Sequence, residues 1–475
     1  MTEVKPKTSK KYTDMTKGSI IGCLVAFALP LLVGNFFQQL YNMMDAFVIG
    51  QRGTPGEYSA VGSVAPITNI LIGLFSGLSS GASVVISQYY GAKDGEKVSR
   101  ASHTAMALTL VASVLFTALG VIFSPLMVKI MLRTTEGDVY APATEYLTIY
   151  SCGMTFMLLY NMGSGILRAV GDSKRPFYFL AVAAVLNTGL DFLLVYAFDM
   201  GVKGVAYATV IAQFVAAVLT IITLFTAKSD IRISIKKIKF DGLSLKQTIQ
   251  VGIPAAIQLA LTAFSNVFVQ SYIGNVNADQ TAALGGWTTY NKVDQFVFLP
   301  LQSLGLAATT FVGQNLGAGN IERAKKGTYC AFFSAVLVTL AVIAPIMIFA
   351  EKIAAVFNAD PDIVRHATFL LHFMTPFYLC SCVNQVFSGA MRGAGNSVAP
   401  MIIMMTSFIV VRQIYLFVVS TFISNDFLPI AFGYPAGWIV CCVSTLVYFF
   451  AFFRFDKHII ATVANAEEEA VSSEE

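Results

Sequence analysis

The stretch SGILRAVGDS at positions 164–173 returns in altered form as SGAMRGAGNS at positions 388–397. Earlier in each half, SQYYGA at positions 87–92 matches GQNLGA at positions 313–318. Pro30 and Pro254 occupy matching places near the start of each copy, at an offset of about 224 residues. An internal repeat of this length predicts a chain built as two similar halves, and it decides the architecture before any single motif does.

The composition places both halves in a membrane. The 475 residues are 56% hydrophobic and only 12% charged, whereas soluble domains carry about 25% charged residues. About twelve apolar runs of bilayer-spanning length follow one another between Ile20 and Phe453. We therefore predict an all-α polytopic membrane protein with twelve transmembrane helices in two pseudo-symmetric six-helix lobes around a central cleft.

Charge and composition give the domain boundaries and the topology. We predict a cytoplasmic tail at 1–15, an N-lobe at 16–227, a basic cytoplasmic linker at 228–246, a C-lobe at 247–453 and an acidic cytoplasmic tail at 454–475. Lys and Arg concentrate on the side of the N-terminus, which predicts that both termini are cytoplasmic. The basic clusters are short and adjoin apolar runs, so the predicted partner is the lipid bilayer and not nucleic acid.

The first apolar run carries a polar stripe that a lipid-facing helix would not have. At 100° per residue its members fall within an arc of about 120°. They are Asn35, Gln38, Gln39, Asn42 and Asp45. Acidic residues inside spans are costly, and a functional role is the default interpretation. The alternative is that Asp45 is a helix-end acid near the outer surface.

A second acid, Asp191, lies one turn after Asn187 in the fifth run, and Thr209 follows in the sixth. A carboxylate, an amide and a hydroxyl supply the hard oxygen ligands that suit Na⁺, and two carboxyl groups could instead hold a proton. The alternative is that Asp191 caps a helix or pairs with Lys203.

The second half is polar in a different way, because its deep polar residues include Asp294 and Arg412. These two are plausible ion-pair partners, either as a structural pair or at a substrate site. The residues predicted to line the cavity are Asn35, Gln38, Asn42, Gln258, Asn266, Asn291, Asp294 and Arg412. Pro30 and Pro254, inside the first run of each half, are predicted to bend their helices.

Catalysis and cofactor binding find no support in the sequence. The seven cysteines lie within or beside apolar runs, and the four histidines are scattered without ligand spacing. Hydrolase and metalloprotease motifs are missing from the sequence. We therefore predict a protein that is not an enzyme and has no cofactor beyond a coupling ion.

Taken together, these residues resemble the multidrug and toxic compound extrusion (MATE) family over about residues 16–453. The resemblance rests on Pro30 with Asn42 and Asp45, on the repeated loops and turns quoted above, on Asn187 with Asp191, and on the run GVKGVAYAT at 201–209. It implies export of cationic, amphipathic small molecules in exchange for Na⁺ or H⁺. It also implies that Asp45, Asn187, Asp191 and Thr209 form the N-lobe cation site, with Asn161 beside it.

One branch of that family carries an acid in the seventh run, where this chain has Thr262. The departure points to the DinF-like or MepA-like bacterial branch, hence to the plasma membrane of a prokaryote, and we expect a monomer. An alternative within the same superfamily is a flippase or exporter of lipid-linked saccharides or another non-drug metabolite. That function would call for a strongly basic cleft.

Overall fold

A computed structural model describes residues 13–132, 134–135, 137–276 and 280–458 of the chain. Over these residues the structure consists of helices and their connections, and it has no strand. The predicted tails lie largely outside the described residues, because 1–12 and 459–475 are not among them.

The N-terminal half places its helices one after another with short connections. They are α1 (Ile20–Arg52), α2 (Pro55–Gly91), α3 (Gly95–Leu132), α4 (Tyr140–Cys152), α5 (Met154–Ala169), α6 (Lys174–Asp191) and α7 (Gly201–Phe225). A π-helical segment at Phe192–Ala197 continues α6.

The C-terminal half repeats this order with more interruptions. Its helices are α8 (Gly242–Ile273), α9 (Gln280–Gly317), α10 (Ile321–Phe357), α11 (Pro361–Met374), α12 (Tyr378–Gly393), α13 (Val398–Met405), α14 (Arg412–Val418), α15 (Phe427–Ala431) and α16 (Gly433–Ala451). π-helical segments at Thr406–Val411 and Val419–Ile423 join and extend α13 and α14.

Ten helical runs in the described part of the chain are long and apolar enough to cross a bilayer. The two remaining spans are broken helices: α4 meets α5 at Gly153, and α11 meets α12 through a 3₁₀ turn at Thr375–Phe377. With these two pairs each half has six spans, and the predicted twelve-helix fold in two lobes is confirmed.

One end of the bundle carries the connection between the lobes, and we call it the linker face. Helix α7 ends at Phe225 and α8 begins at Gly242, so the last residues of the stretch predicted as linker belong to a helix. The physical reason is a cap, because the carboxylate of Asp241 accepts hydrogen bonds from the Ser244 N–H at 2.9 Å and the Ser244 hydroxyl at 2.7 Å.

The connection is held against the N-lobe. The Ser234 N–H donates to Nε2 of the buried His103 at 3.0 Å, and the Asp241 N–H donates to the Thr104 hydroxyl at 3.0 Å. Ile231 is fully buried in the N-lobe core. The linker is therefore part of the N-lobe surface, although it joins the two lobes.

Removal of the Asp241 cap should destabilise the protein in a pH-dependent way. Bonds from the Ser244 backbone N–H and hydroxyl hold the pKa of Asp241 below its ordinary value. A lowered folded-state pKa gives stability that is present above the unfolded pKa and is lost as pH falls through the folded pKa. We expect Asp241→Ala to cost about 1 kcal/mol at neutral pH. Thermal unfolding in detergent should show this loss at pH 7 and a smaller one at acidic pH, and an equal loss at both would contradict the charged cap.

The two lobes share core packing. Leu24 and Phe27 of α1 pack with Leu301 and Phe311 of α9 in one buried cluster. Between α2 and α8 the backbones touch, because a Cβ built on Gly77 would lie 2.2 Å from the Cα of Ala256. Small residues permit such close approach between membrane helices, where dispersion contacts stabilise association.

Pro30 and Pro254 lie inside α1 and α8, and both helices continue through them. A non-helical φ/ψ pair inside a long helix occurs instead at Phe349 of α10, with φ −114° and ψ 20°, four residues after Pro345. Bending at Pro30 and Pro254 stays a prediction.

Candidate functional site

Three helices of the N-lobe bring the predicted ion ligands together. The Thr209 hydroxyl on α7 lies 3.3 Å from Oδ2 of Asp45 on α1, and Nδ2 of Asn187 on α6 lies 3.4 Å from the same hydroxyl. The Asp45 carboxyl is also within hydrogen-bond reach of Asp191 and Asn187. All four side chains are at most 6% exposed. We call them the N-lobe acidic cluster.

The acidic cluster holds more acceptors than donors. Oδ1 of Asp45, Oδ1 of Asn187 and both carboxyl oxygens of Asp191 are buried without a hydrogen-bond partner. Two carboxyl groups in contact repel each other unless a proton or a cation lies between them. Their oxygens suit either one, because Na⁺ is a hard ion and a shared proton converts one carboxyl into a donor.

Neither acid has a purely structural role as a helix cap, as the partner of Lys203 or as a helix-end residue at the surface. Lys203 pairs with Glu145 at 3.1 Å and not with Asp191. Asp191 ends α6 directly before a π-helical segment, a distortion that often marks functional sites. Asp45 lies within α1, seven residues before its end at Arg52, and is buried.

Asn161, predicted beside the cluster, has a local role in the described contacts. Its amide donates to the Met157 carbonyl at 2.8 Å, one turn earlier on α5. Its backbone carbonyl oxygen accepts a bond from the Ser79 hydroxyl at 2.7 Å, which ties α5 to α2. A contact between Asn161 and the coupling ion stays a prediction.

A layer of polar and aromatic residues around the acidic cluster was not predicted from the sequence. Buried Tyr41 accepts a hydrogen bond from Nε2 of Gln213 at 3.3 Å, and Tyr146 stacks on Tyr150 with ring centroids 6.1 Å apart. A signal did exist, because Tyr41 precedes Asp45 by four residues and Gln213 follows Thr209 by four. Residues four apart share a helix face, so this spacing places Tyr41 and Gln213 next to the predicted ion-binding residues.

In the C-lobe, Asp294 is held by two tyrosines. The hydroxyl of Tyr378 donates to Oδ1 of Asp294 at 2.5 Å, and that of Tyr290 donates to the same oxygen at 3.1 Å. The two hydroxyls lie 3.2 Å apart. The carboxyl group is thus anchored by two neutral donors.

An aromatic cluster surrounds this acid. Trp287 packs edge-on against Tyr434 at 4.9 Å, and Trp438 packs against Tyr378 at 5.4 Å and Tyr434 at 5.5 Å. Both tryptophans of the chain are therefore here. Aromatic faces beside a carboxylate attract organic cations.

The predicted ion pair between Asp294 and Arg412 is not formed. Arg412 is 1% exposed, and its Nη1 lies 3.4 Å from the Ser265 hydroxyl and 3.4 Å from Oδ1 of Asn266. Its guanidinium is sandwiched between the rings of Phe408 and Tyr434, at 4.4 and 4.6 Å. Two aromatic faces and neutral acceptors take the place of the acid, which the tyrosines already hold.

Polar residues of α1 and α9 meet between the lobes. Nε2 of Gln39 donates to Oε1 of Gln295 at 2.7 Å, and Nδ2 of the exposed Asn42 donates to Gln39 at 3.2 Å. Asn35 and Gln38 are half-buried on the same helix, two turns and one turn before Asn42, respectively. These residues form a candidate cleft surface.

The remaining predicted cavity residues are placed differently from one another. Asn266 is exposed and Asn291 is half-buried. Gln258 is 3% exposed, and its amide donates to the Met404 sulfur at 2.7 Å. Its side chain therefore lies between α8 and α13, within the helix packing.

Comparison with known proteins agrees with this twofold architecture. A family model described as MatE matches residues 30–193 and again residues 254–418, one match in each half. The chain belongs to the MatE family. It is accordingly a membrane transporter of the multidrug-efflux class and not an enzyme, and the resemblance seen in the sequence is confirmed.

Relatives match along most of their length. The probable multidrug resistance protein YoeA of Bacillus subtilis is 28% identical over 447 residues, which cover 93% of this chain and 95% of the relative. The probable multidrug resistance protein YpnP of the same organism is 27% identical, over 94% and 98% of the two chains. A solved outward-facing MATE transporter shares the fold with a TM-score of 0.87, at 23% identity over 93% of this chain and 97% of that one.

Proposed function

We propose that this MatE-family chain is a secondary antiporter that exports cationic, amphipathic compounds in exchange for Na⁺ or H⁺. The observation that carries the proposal is the buried N-lobe acidic cluster, where Asp45 and Asp191 face each other with unpartnered oxygens. Acidic side chains inside a membrane span that lack a positively charged partner cost free energy, and such acids mark ion and proton pathways in membrane proteins.

Binding of an ion would relieve the repulsion between the two acids. A proton or Na⁺ between Asp45 and Asp191 draws α1 toward α6, and the loss of that ion lets them separate. Ion binding at this site is thereby linked to the position of α1, whose polar side faces the other lobe. Coupling of this kind needs only that the two access states differ in their affinity for the ion.

The C-lobe supplies the feature that favours a cationic cargo. Asp294 lies among aromatic rings and is bonded only by neutral hydroxyls among the described residues. The name multidrug resistance protein carried by YoeA and YpnP is in keeping with such a cargo. The guanidinium of Arg412 lies between the rings of Phe408 and Tyr434 and forms no ion pair with Asp294.

Charge distribution supports the orientation. The linker face carries the basic connection between the lobes and most of the Lys and Arg residues, so it lies in the cytoplasm together with both termini. The chain would then act as a monomer in the plasma membrane of a prokaryote.

The test is efflux of a fluorescent cation such as ethidium from proteoliposomes. Wild-type protein should drive efflux under one imposed gradient, Na⁺ or pH, and that gradient names the coupling ion. Asp191→Asn should lose the gradient dependence, while Glu145→Gln, an exposed carboxylate paired with Lys203, should retain it. Folded wild-type protein that moves no cation under either gradient would exclude this proposal in favour of a narrow, non-drug cargo.

Replacement of Asp294 should weaken cargo binding without removing ion coupling. We expect Asp294→Asn to raise the KM for a monovalent organic cation about tenfold, which corresponds to about 1.4 kcal/mol. The reason is that the amide keeps the shape of the group but removes its charge. Initial rates against cation concentration, with a neutral cargo of similar size for comparison, check this. An equal loss for the neutral cargo would contradict a charge-based role.

A further inference from the structure

The repeated glutamines of the sequence motif make reciprocal bonds between the lobes. Nε2 of Gln88, on the N-lobe helix α2, donates to the Gly393 carbonyl oxygen at 2.9 Å. Nε2 of Gln314, on the C-lobe helix α9, donates to the Ala169 carbonyl oxygen at 2.8 Å. Both glutamines are fully buried. Donors and acceptors occupy matching places in the two repeats, so one contact is made twice across the pseudo-twofold axis.

A glycine three residues after each glutamine lets the two helix ends meet. A Cβ on Gly91 would lie 2.0 Å from the Gln314 carbonyl oxygen, and a Cβ on Gly317 would lie 1.9 Å from the Gln88 carbonyl oxygen. Side chains cannot be accommodated at such distances. The motif's glutamine and glycine thus have separate roles, the first in hydrogen bonding and the second in close approach.

The segment before α1 covers this contact and is bonded to both lobes. We call residues 13–19 the strap. The Thr13 N–H donates to the Gly171 carbonyl of the N-lobe at 3.3 Å. The Met15 N–H donates to Oε1 of Gln314 at 3.2 Å, and Nδ2 of Asn315 donates to the Met15 carbonyl at 3.1 Å. The Met15 side chain is fully buried.

An arginine of the C-lobe holds the next part of the strap. Nη2 of Arg323, on α10, donates to the carbonyl oxygens of Lys17 at 3.0 Å and Gly18 at 2.9 Å. The same side chain reaches the Met15 carbonyl through Nε at 3.3 Å. The strap leads directly into α1, the helix that carries Asp45. A movement of the strap is therefore transmitted to that helix.

We propose that Gln88, Gln314 and the strap form the gate that closes the linker face and sets the balance between the two access states of the transporter. Transport through a site between two lobes requires each face to open in turn. These buried bonds run between the lobes, so separation at this face must break them, and each donor then needs water in its place. The inference rests on the proposed transport function only for the direction in which cargo moves.

The alternative is a permanent contact at which the lobes never separate, and we call such a contact a seam. A seam and a gate differ in what happens when the bonds are lost. Weakening a gate shifts the population toward the state open at the linker face, whereas weakening a seam lowers stability and leaves the populations unchanged.

The test measures distances across the linker face by double electron–electron resonance. Spin labels replace exposed Arg100 of the N-lobe and exposed Lys325 of the C-lobe. All variants are measured in the same detergent or nanodisc. We expect the Gln88→Leu, Gln314→Leu pair to raise the ratio of open to closed molecules at least about tenfold. Gln250→Leu, the same substitution at an exposed position of α8, should leave the ratio unchanged.

A second variant covers the case in which the double variant fails to fold. Arg323→Met removes only the bonds to the strap and should raise the open fraction by a smaller factor, about threefold. Unchanged distance distributions in both folded variants would overturn the gate. The distances are read without gradient or cargo, so a negative efflux experiment on the wild type would leave this result interpretable.

Discussion

Asp191→Asn is expected to reduce gradient-driven efflux at least about tenfold, and adding Asp45→Asn should cause little further loss. The reason is that the two carboxyl groups interact with each other, and we propose that they constitute one ion site. Once either charge is gone, the site no longer binds and releases an ion, and the second change has little left to remove. Non-additivity is therefore the specific signature of the pair.

The measurement is a double-mutant cycle on initial efflux rates in proteoliposomes at matched protein content. Thermal unfolding of each variant in detergent separates lost coupling from lost folding. Glu145→Gln serves as the carboxylate control, because Glu145 is 47% exposed and pairs with Lys203 at the surface. Additive losses from Asp45→Asn and Asp191→Asn would show that the two acids act at separate steps.

Gly77→Val is expected to be the most destabilising single change in the membrane-spanning part of α2. A Cβ at this position would lie 2.2 Å from both the Cα and the N of Ala256, and Ala255 is nearly as close. Backbone atoms cannot move aside as a flexible side chain can. We expect a loss of about 3 kcal/mol or more, because overpacking at a rigid contact forces the helices apart.

Gly62→Val on the same helix is the matched control, because a Cβ there meets no atom within 4 Å. Recovery of monodisperse protein and its melting temperature in detergent are the readouts. A small, equal effect of both substitutions would mean that α2 and α8 do not depend on their backbone contact. A large loss confined to Gly77→Val would show that this contact holds the lobes together.

Two signals in the sequence predicted the N-lobe acidic cluster: the free-energy cost of placing acids inside a bilayer, and the helical spacing of the polar residues around them. Asp45 and Asp191 stand out as acids in apolar runs, and Asn187 lies one turn from Asp191 on the same face. The oxygen ligand that its hydroxyl offers and the resemblance to the MATE family both predict Thr209 as a further member. All four lie together in the structure. Tyr41 and Gln213 were not predicted, although each lies four residues from a predicted ligand and so shares its helix face.

The hypothesis that Asp294 and Arg412 form an ion pair was wrong. Asp294 and Arg412 are both deep, and Coulomb attraction favours a pair. The sequence could not show that Tyr290 and Tyr378 satisfy the acid or that two aromatic rings enclose the guanidinium. Tyr378 and Tyr434 come from helices distant in sequence, so their contacts depend on helix rotation and depth. Tyr290 and Phe408, by contrast, each lie four residues before the group they contact.

The sequence by itself determined the number of spans, the two-lobe plan and the identity of the costly polar residues. Hydropathy, internal repetition and charge are properties of local stretches, and the bilayer imposes the same requirement on every span. Only the tertiary structure decided which polar groups touch, and that Gln88 and Gln314 bond across the lobes. The physical reason is that contacts between helices depend on how two surfaces are rotated and packed against each other, which no single stretch encodes.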